Sequence, residues 1–226
     1  MAELAIFQTV RLGLKAVYLA PLRALVKERV SDWQQSLKWL RVVEMSGECS
    51  PTSKELQSAN LIVSTPEKWD AVSRKWRADG DASFFETIGL LIMDEVHLLG
   101  VASRGPVLEA IVMRMRNIHS NLRIVALSTA LANAGDLADW LSIPTDGLYN
   151  FSPAVRPVPI EVRIEGFPGA HYCPRMASMN KPMYQHICTL SQRKPTLVFV
   201  SSRRQTRLTA EAMIALDNLH CGGLGS

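Results

Sequence analysis

The chain has 226 residues, 47% hydrophobic and 20% charged. That is the composition of a globular protein with one substantial core and part of a second, and it excludes a disordered or fibrous chain. Twenty-five Lys and Arg against 21 Asp and Glu leave a formal charge of +4, compatible with a polyanion but no proof of one.

Residues 2–12 read as a helix with Leu4, Ile6, Phe7 and Val10 on one side. Glu3, Arg11 and Lys15 interrupt this apolar stretch, so neither a signal peptide nor a membrane span is expected there. A short buried strand follows at Ala16–Leu19. Leu22, Leu25, Val26, Val30, Trp33, Leu37 and Leu40 then recur at steps of three and four, a helical stripe. Strands are expected at Val42–Met45 and Leu61–Ser64, separated by a turn at 46–52. Thr65 is placed to cap a helix that has Pro66 at its first position, where the missing N–H costs little. A polar loop is expected around Asp79–Ser83.

Gly89–Gly100, GLLIMDEVHLLG, is the centre of the sequence. Leu90–Met93 is an apolar run too short for a helix and stops at two adjacent carboxylates, Asp94 and Glu95, which reads as a buried central strand with acids at its carboxyl end. Ligands bind beyond the carboxyl ends of strands in open α/β sheets, and two carboxylates there suit a hydrated magnesium ion and a water to be activated. Taken alone, the tetrapeptide fits equally well a buried strand that simply ends at solvent.

A helix is expected from Pro106 to about His119, a strand at Arg123–Leu127 and a short helix at Asp136–Leu141. Alternating strands and helices predict a doubly wound parallel sheet covered on both faces. Prolines at 144, 153, 157, 159 and 168 then break the pattern. The organisation expected is a first domain over 1–145, a linker at 146–159 and a second α/β lobe over 160–226. That lobe should hold a strand at Ile160–Ile164, a helix at Met179–Leu190, a strand at Thr196–Val200 and a helix from about Arg203. Cys49, Cys173, Cys188 and Cys221 form no CxxC pair and share no spacing with the histidines, so they read as free thiols of a reducing compartment. The tryptophans 33, 39, 69, 76 and 140 read as packing residues rather than base-stacking platforms.

APLRALVKE at 20–28, STPEKWD at 64–70, DEVH at 94–97, LSTA at 127–130 and FVSSR at 199–203 stand in the order and approximate spacing of superfamily 2 DExH nucleic-acid helicases. RGPVLEAIV, LSTALAN with DLADWL, VRPVPIEV and YCPRMASMNKP look most like the second cassette of the large tandem-cassette type. The resemblance covers roughly residues 2–216.

The resemblance implies a RecA-like first lobe without its phosphate-loop strand, followed by the start of a second RecA-like lobe. It implies ATP and Mg²⁺ as cofactors, with Asp94 on the metal through water and Glu95 orienting and deprotonating the attacking water. His97, Ser128 and Thr129 would link the nucleotide site to the nucleic-acid track. Read without the resemblance, Ser128 and Thr129 fit a plain helix cap. Pro21, Leu22, Arg23, Thr65, Pro66 and Glu67 would grip one strand along its phosphates, and Ser201, Ser202 and Arg203 would do so from the second lobe. Without it, Arg203, Arg204 and Arg207 read as a solvated helix face. The partners implied are single-stranded or partly duplex nucleic acid and other subunits of a multiprotein complex, in the nucleus or cytoplasm and without a membrane.

The sequence departs from the family in several places. No GxxxxGK[ST] run occurs in it, and the second-lobe motifs that supply an arginine finger are absent. A finger is worth on the order of 10³ to 10⁵ in rate. Glu48 stands where the family usually has Asp, Val101–Ser103 replaces a usually acidic stretch, and Gly135 takes a usually basic position. The expectation is a fragment of an ATP-dependent 3′-to-5′ helicase that alone lacks ATPase and unwinding activity. One alternative is a non-catalytic module that binds nucleic acid or protein. The other is an unrelated metal hydrolase or nuclease using Asp94 and His97.

Overall fold

The computed structural model describes residues 1–75, 82–191 and 194–222. Among them the chain forms two compact units, Met1–Ser152 and Pro153–Ser226.

The first unit is a five-stranded sheet, β1 (Lys15–Leu19), β2 (Val42–Met45), β3 (Leu61–Ser64), β4 (Ile88–Met93) and β5 (Arg123–Ala126), in the order β2-β3-β1-β4-β5. All its pairings are parallel. Alternating residues face opposite ways, and each face has its own helices. Ala16, Tyr18, Leu61, Val63, Leu90 and Ile92 pack under α1 (Ala2–Arg11) and α2 (Arg23–Ser36), which contribute Ile6, Val26, Val30 and Trp33. Val17, Leu19, Ile62, Leu91 and Met93 pack on the other side against α4 (Pro66–Ser73), α5 (Ala82–Glu86) and α6 (Gly105–Ile118), through Trp69, Phe85, Ile111 and Met115. All six residues of β4 are buried, as expected of a central strand covered on both faces. Short α3 (Ser53–Ser58) precedes β3, and α7 (Ala134–Trp140) follows β5.

The connection leaving β1 runs to β2 at one edge, and the connection leaving β4 runs to β5 at the other. Since β1 and β4 are neighbours, the crevice beyond their carboxyl ends is a topological switch point. Pro21–Arg23 leave one of these ends and Asp94–His97 the other.

The second unit holds α8 (Tyr172–Leu190) and α9 (Arg203–Gly222). The strands expected at Ile160–Ile164 and Thr196–Val200 are not formed; both segments lack ladder pairing. A strand needs a hydrogen-bonded neighbour, and these two segments do not pair with each other. Their apolar side chains stay open, with Ile164 90%, Leu197 85% and Phe199 92% exposed. Helix α8 starts seven residues earlier than Met179, because Pro174 falls in its first turn, where the N–H is unpaired in any case.

Three other local expectations need correction. Leu37 and Leu40 continue the apolar stripe but lie beyond α2, which ends at Ser36; Leu40 still buries its side chain. Of the loop expected at 79–83, residues 79–81 lie outside the described residues, while Ala82 and Ser83 open α5. Trp33 and Trp69 are core residues, but Trp39 is 53% exposed with Phe7 edge-on against it, and Trp140 is also exposed. Trp76 lies outside the described residues.

Candidate functional site

Asp94 and Glu95 emerge where β4 ends. The Asp94 amide still bonds to the Leu19 carbonyl of β1, so the first carboxylate is carried to the rim of the sheet. Glu95 turns the chain with φ 56°, a left-handed conformation that disfavours a side chain by about 1 to 3 kcal/mol. Its amide donates to Asp94 Oδ1 at 3.0 Å. A 3-10 turn, Val96–Gly100, follows.

Tyr18 holds the other oxygen of Asp94. Its hydroxyl donates to Asp94 Oδ2 at 2.6 Å, and its ring is buried with Trp33 edge-on at 5.0 Å. Burial and then the bond to Asp94 push the phenol well above its ordinary range. The carboxylate therefore enters the crevice with one donor on each oxygen and lone pairs to spare.

His97 joins the acid turn to the segment that follows β5. Its Nδ1 lies 3.3 Å from Glu95 Oε2 and 3.2 Å from Thr129 Oγ1. The Val96 amide bonds to the Leu127 carbonyl and the Leu127 amide to that of Met93, bringing the segment with Ser128 and Thr129 alongside the turn. Ser128 and Thr129 are exposed and do not cap a helix; α7 begins at Ala134 behind Asn133, so the plain helix-cap reading is excluded.

The second cluster is a cavity of about 440 Å³ lined by Pro21, Leu22, Arg23, Gly47, Thr65, Glu67, Lys68 and Arg104. Two helix N-termini open beside it. Leu22 is the N-cap of α2 and offers no side-chain acceptor, so the first N–H groups of that helix are uncapped. Thr65 caps α4 through the Lys68 amide, with Pro66 at the first position, as its sequence predicts. Lys68 Nζ donates to Ser50 Oγ at 2.7 Å. Gly47 leaves room for the Arg23 guanidinium, since a Cβ there would fall 2.4 Å from Arg23 Nη2.

Glu48 complicates this basic edge. Its carboxylate accepts from Lys27 Nζ at 2.8 Å and lies 3.7 Å from Arg23 Nη1. The Lys27 hydrogen bond and charge, then the charge of Arg23, hold the Glu48 carboxyl below its ordinary value.

In the second unit, Ser202 accepts from the Gln205 amide at 3.2 Å, so it caps the start of α9, where Arg203 is the first residue. The Ser201 hydroxyl meets the Tyr172 hydroxyl. Arg203, Arg204 and Arg207 are exposed, and Arg207 pairs with Glu211 at 2.9 Å.

The structure thus brings Asp94, Glu95, His97 and Thr129 together, and lines one cavity with Pro21, Leu22, Arg23, Thr65 and Glu67. Sequence reasoning gave no site role to Tyr18, Gly47, Lys68 or Arg104. Gly47 beside an acid in a turn was the one local signal; the other three owe their places to distant partners. Cys49, Cys173 and Cys188 are free thiols, and no described helix is long and apolar enough to cross a membrane.

The DEAD/DEAH box helicase family matches this chain over residues 1–137. Activating signal cointegrator 1 complex subunit 3 of Mus musculus is 56% identical over 223 residues, covering 95% of this chain and 10% of that protein. The Homo sapiens subunit gives the same identity and coverage. The DExH-box ATP-dependent RNA helicase DExH14 of Arabidopsis thaliana is 56% identical over 221 residues, again 95% of this chain and 10% of that protein. The chain therefore spans about a tenth of the length of these relatives. Among solved structures, the DUF1998 helicase MrfA superposes with TM-score 0.63 at 18% identity, covering all of this chain and 35% of that one. MrfA bound to DNA and AMPPNP gives 0.64 at 19% identity, over 94% of this chain and 31% of that one. At such identities the likeness is one of fold, and it agrees with the RecA-like α/β architecture expected from the sequence.

Proposed function

The chain belongs to the DEAD/DEAH box helicase family, and we propose that its own part in that activity is to grip one nucleic-acid strand by its phosphates in the cavity of the first unit. The observation that carries the reading is the convergence of Pro21–Arg23 with Thr65, Glu67 and Lys68 on that cavity, with uncapped N–H groups at the start of α2 and the Arg23 guanidinium beside them; Pro66 is buried and does not line it. Helix N-termini and a guanidinium fork are suited to phosphate oxygens, and such contacts carry no base information. The same reading gives Ser201, Ser202 and Arg203 an equivalent grip from the second unit.

We assign Asp94 to magnesium through water and Glu95 to orienting and deprotonating the attacking water in ATP hydrolysis. The donor set fits. Among the described residues no cluster of three His, Cys, Asp or Glu forms a protein cage, while a carboxylate with open lone pairs suits an ion that keeps its waters and takes its other ligands from phosphates. When bound, the magnesium nucleotide would supply the phosphoryl group and neutralise its charge. His97 bridges Glu95 to Thr129, so a shift of the general base would reach the segment after β5; Ser128 and Thr129 are the proposed link toward the nucleic-acid track. The sequence has no GxxxxGK[ST] run to cradle the phosphates, so hydrolysis and unwinding are proposed as properties of a larger helicase and not of this chain by itself. By likeness to relatives named as complex subunits, a multiprotein assembly is the proposed setting.

The test is anisotropy of a fluorescent single-stranded oligoribonucleotide, with its DNA counterpart for comparison, titrated at several salt concentrations. Wild type should bind with a clear salt dependence, and Arg23→Ala should weaken binding and reduce the log–log slope by about 0.7. Absence of salt-sensitive binding would sink the reading. In parallel, magnesium-dependent ATP hydrolysis should not rise above a Glu95→Gln control; turnover abolished by that substitution would show that this chain hydrolyses ATP alone.

A further inference from the structure

We infer that Arg104 is a positioning residue that braces the first turn of α2 against the acid turn and so sets the shape of the phosphate cradle. Its functional consequence rests on the nucleic-acid reading above, while its premise is geometric. Arg104 Nη1 donates to the carbonyl of Pro21 at 2.7 Å, across 83 residues of sequence. Pro21 lies just before Leu22, the N-cap of α2, so this bond acts on the peptide that aims the uncapped N–H groups into the cavity.

The base of this strut is rigid. The Arg104 and Gly105 amides both bond to the Val101 carbonyl, closing the chain tightly behind the 3-10 turn. Gly105 lies so close to the Leu99 carbonyl that a Cβ would fall 2.2 Å from its oxygen, a contact only glycine avoids. The turn that ends at this base begins at Glu95 and carries His97. Arg104 therefore fastens the acid-bearing turn to one wall of the cradle. The other wall, formed by Thr65, Glu67 and Lys68, is held by its own cap at Thr65.

Because Nη1 is aimed at a main-chain carbonyl on the α2 side, the role assigned is orientation, and the salt slope tests whether its charge also meets a phosphate. Removing it should change where the α2 amides point while leaving the number of neutralised phosphates unchanged. The experiment uses the whole chain as wild type, Arg104→Met and Arg104→Lys, with amide NMR spectra of the free proteins and single-strand binding across salt. In Arg104→Met the amides of Leu22–Leu25 should shift while those of Lys68 and Trp69 stay, and binding should weaken roughly tenfold with an unchanged salt slope. Arg104→Lys keeps a donor of similar reach and should recover most of both.

Unmoved Leu22–Leu25 amides in Arg104→Met would overturn the inference, whatever the binding does. A salt slope reduced by about 0.7 would overturn it too, since Arg104 would then be a phosphate contact. Shifted amides with no binding even by wild type would leave Arg104 as the strut and remove the nucleic-acid reading instead. Should Arg104→Met not fold, Arg104→Gln, whose side chain is two heavy atoms shorter, takes its place with the same expected outcomes.

Discussion

The hydroxyl of Tyr18, on β1, donates a 2.6 Å hydrogen bond to Oδ2 of Asp94 at the end of β4. The residue proposed to meet the metal is thus held from the core side by a buried ring, itself packed edge-on by Trp33, whose Nε1 reaches Glu3 of α1 at 3.0 Å. The Tyr18–Trp33 pair thus links α1, α2, strand β1 and the acid turn. A carboxylate fixed in this way need not be ordered when a ligand arrives.

Tyr18→Phe removes that bond without changing the shape of the ring. A hydrogen bond to a charged acceptor contributes about 1.5 to 3 kcal/mol, and Asp94 keeps the Glu95 amide as a second donor, so the lower end of that range is expected. Urea unfolding of the two proteins checks it. Equal midpoints would mean that the phenol only fills space.

Glu48 occupies Arg23, a cation of the cradle, and the neighbouring Lys27. Its pairs with Arg23 and Lys27 are exposed, about 60% for the Arg23 and Glu48 side chains, so they contribute little to stability. As an internal carboxylate, however, Glu48 competes with a strand for the same guanidinium and ammonium groups. Glu48→Gln should leave the melting temperature nearly unchanged, tighten single-strand binding several-fold at low salt and steepen its salt dependence. Anisotropy titrations decide; weaker binding by Glu48→Gln would mean that Glu48 aligns the basic residues instead of masking them.

The acids of the site were legible because their signal is local. A short apolar run stopped by Asp94 and Glu95 can hardly be anything but a buried strand reaching a rim, and Thr65-Pro66 announces its helix through capping chemistry alone. What the sequence did not reveal depends on distant partners. Tyr18 reads as one more core aromatic of a strand, since its acceptor lies 76 residues away. Arg104 reads as a charge before a helix, since the Pro21 carbonyl is 83 residues away. The apolar runs at 160–164 and 196–200 have the composition of strands, but a strand is a property of a pair, and these segments are unpaired. Leu37 and Leu40 show the same limit on a smaller scale: they keep helical spacing, yet Leu37 adopts φ −114° and ψ 56° and ends the helix.

Those unpaired segments lead to a solution property. Ile164, Leu197 and Phe199 are each at least 85% exposed in the second unit, an apolar surface of the kind soluble proteins normally cover. The purified chain should bind a dye that fluoresces on apolar surface, and Leu197→Ser with Phe199→Ser should lower that signal without shifting the main melting transition. Dye fluorescence no greater than that of a compact control protein would contradict the exposure seen here.

The tie between α4 and α6 gives the chain a specific acid sensitivity. Asp70 is buried, with only 8% of its side chain exposed, and accepts from Arg114 Nη1 at 2.9 Å and from Arg74, the C-cap of its own helix, at 2.6 Å. Burial alone would raise its carboxyl, but the hydrogen bonds from Arg74 and Arg114 outweigh it and hold the group below its ordinary value. A depressed folded value means that the unfolded chain takes up the proton more readily. The stabilisation is therefore complete above the unfolded value of about 3.9 and is lost as pH falls through the lower folded value. Asp70→Asn keeps the shape but leaves Arg114, only 17% exposed, without a counter-charge, which should cost about 2 kcal/mol at neutral pH. That difference should shrink as pH falls below the unfolded value and on through the lower folded value of Asp70. Arg74→Gln separates the two partners, because Arg74 is 64% exposed and solvent screens its pair, so its loss should cost far less than the loss of the Asp70 charge. Urea melts of the three proteins at stepped pH would show wild type converging on Asp70→Asn in acid; parallel curves throughout would mean that Arg114 and Asp70 contribute contact but no net charge stabilisation between the helices.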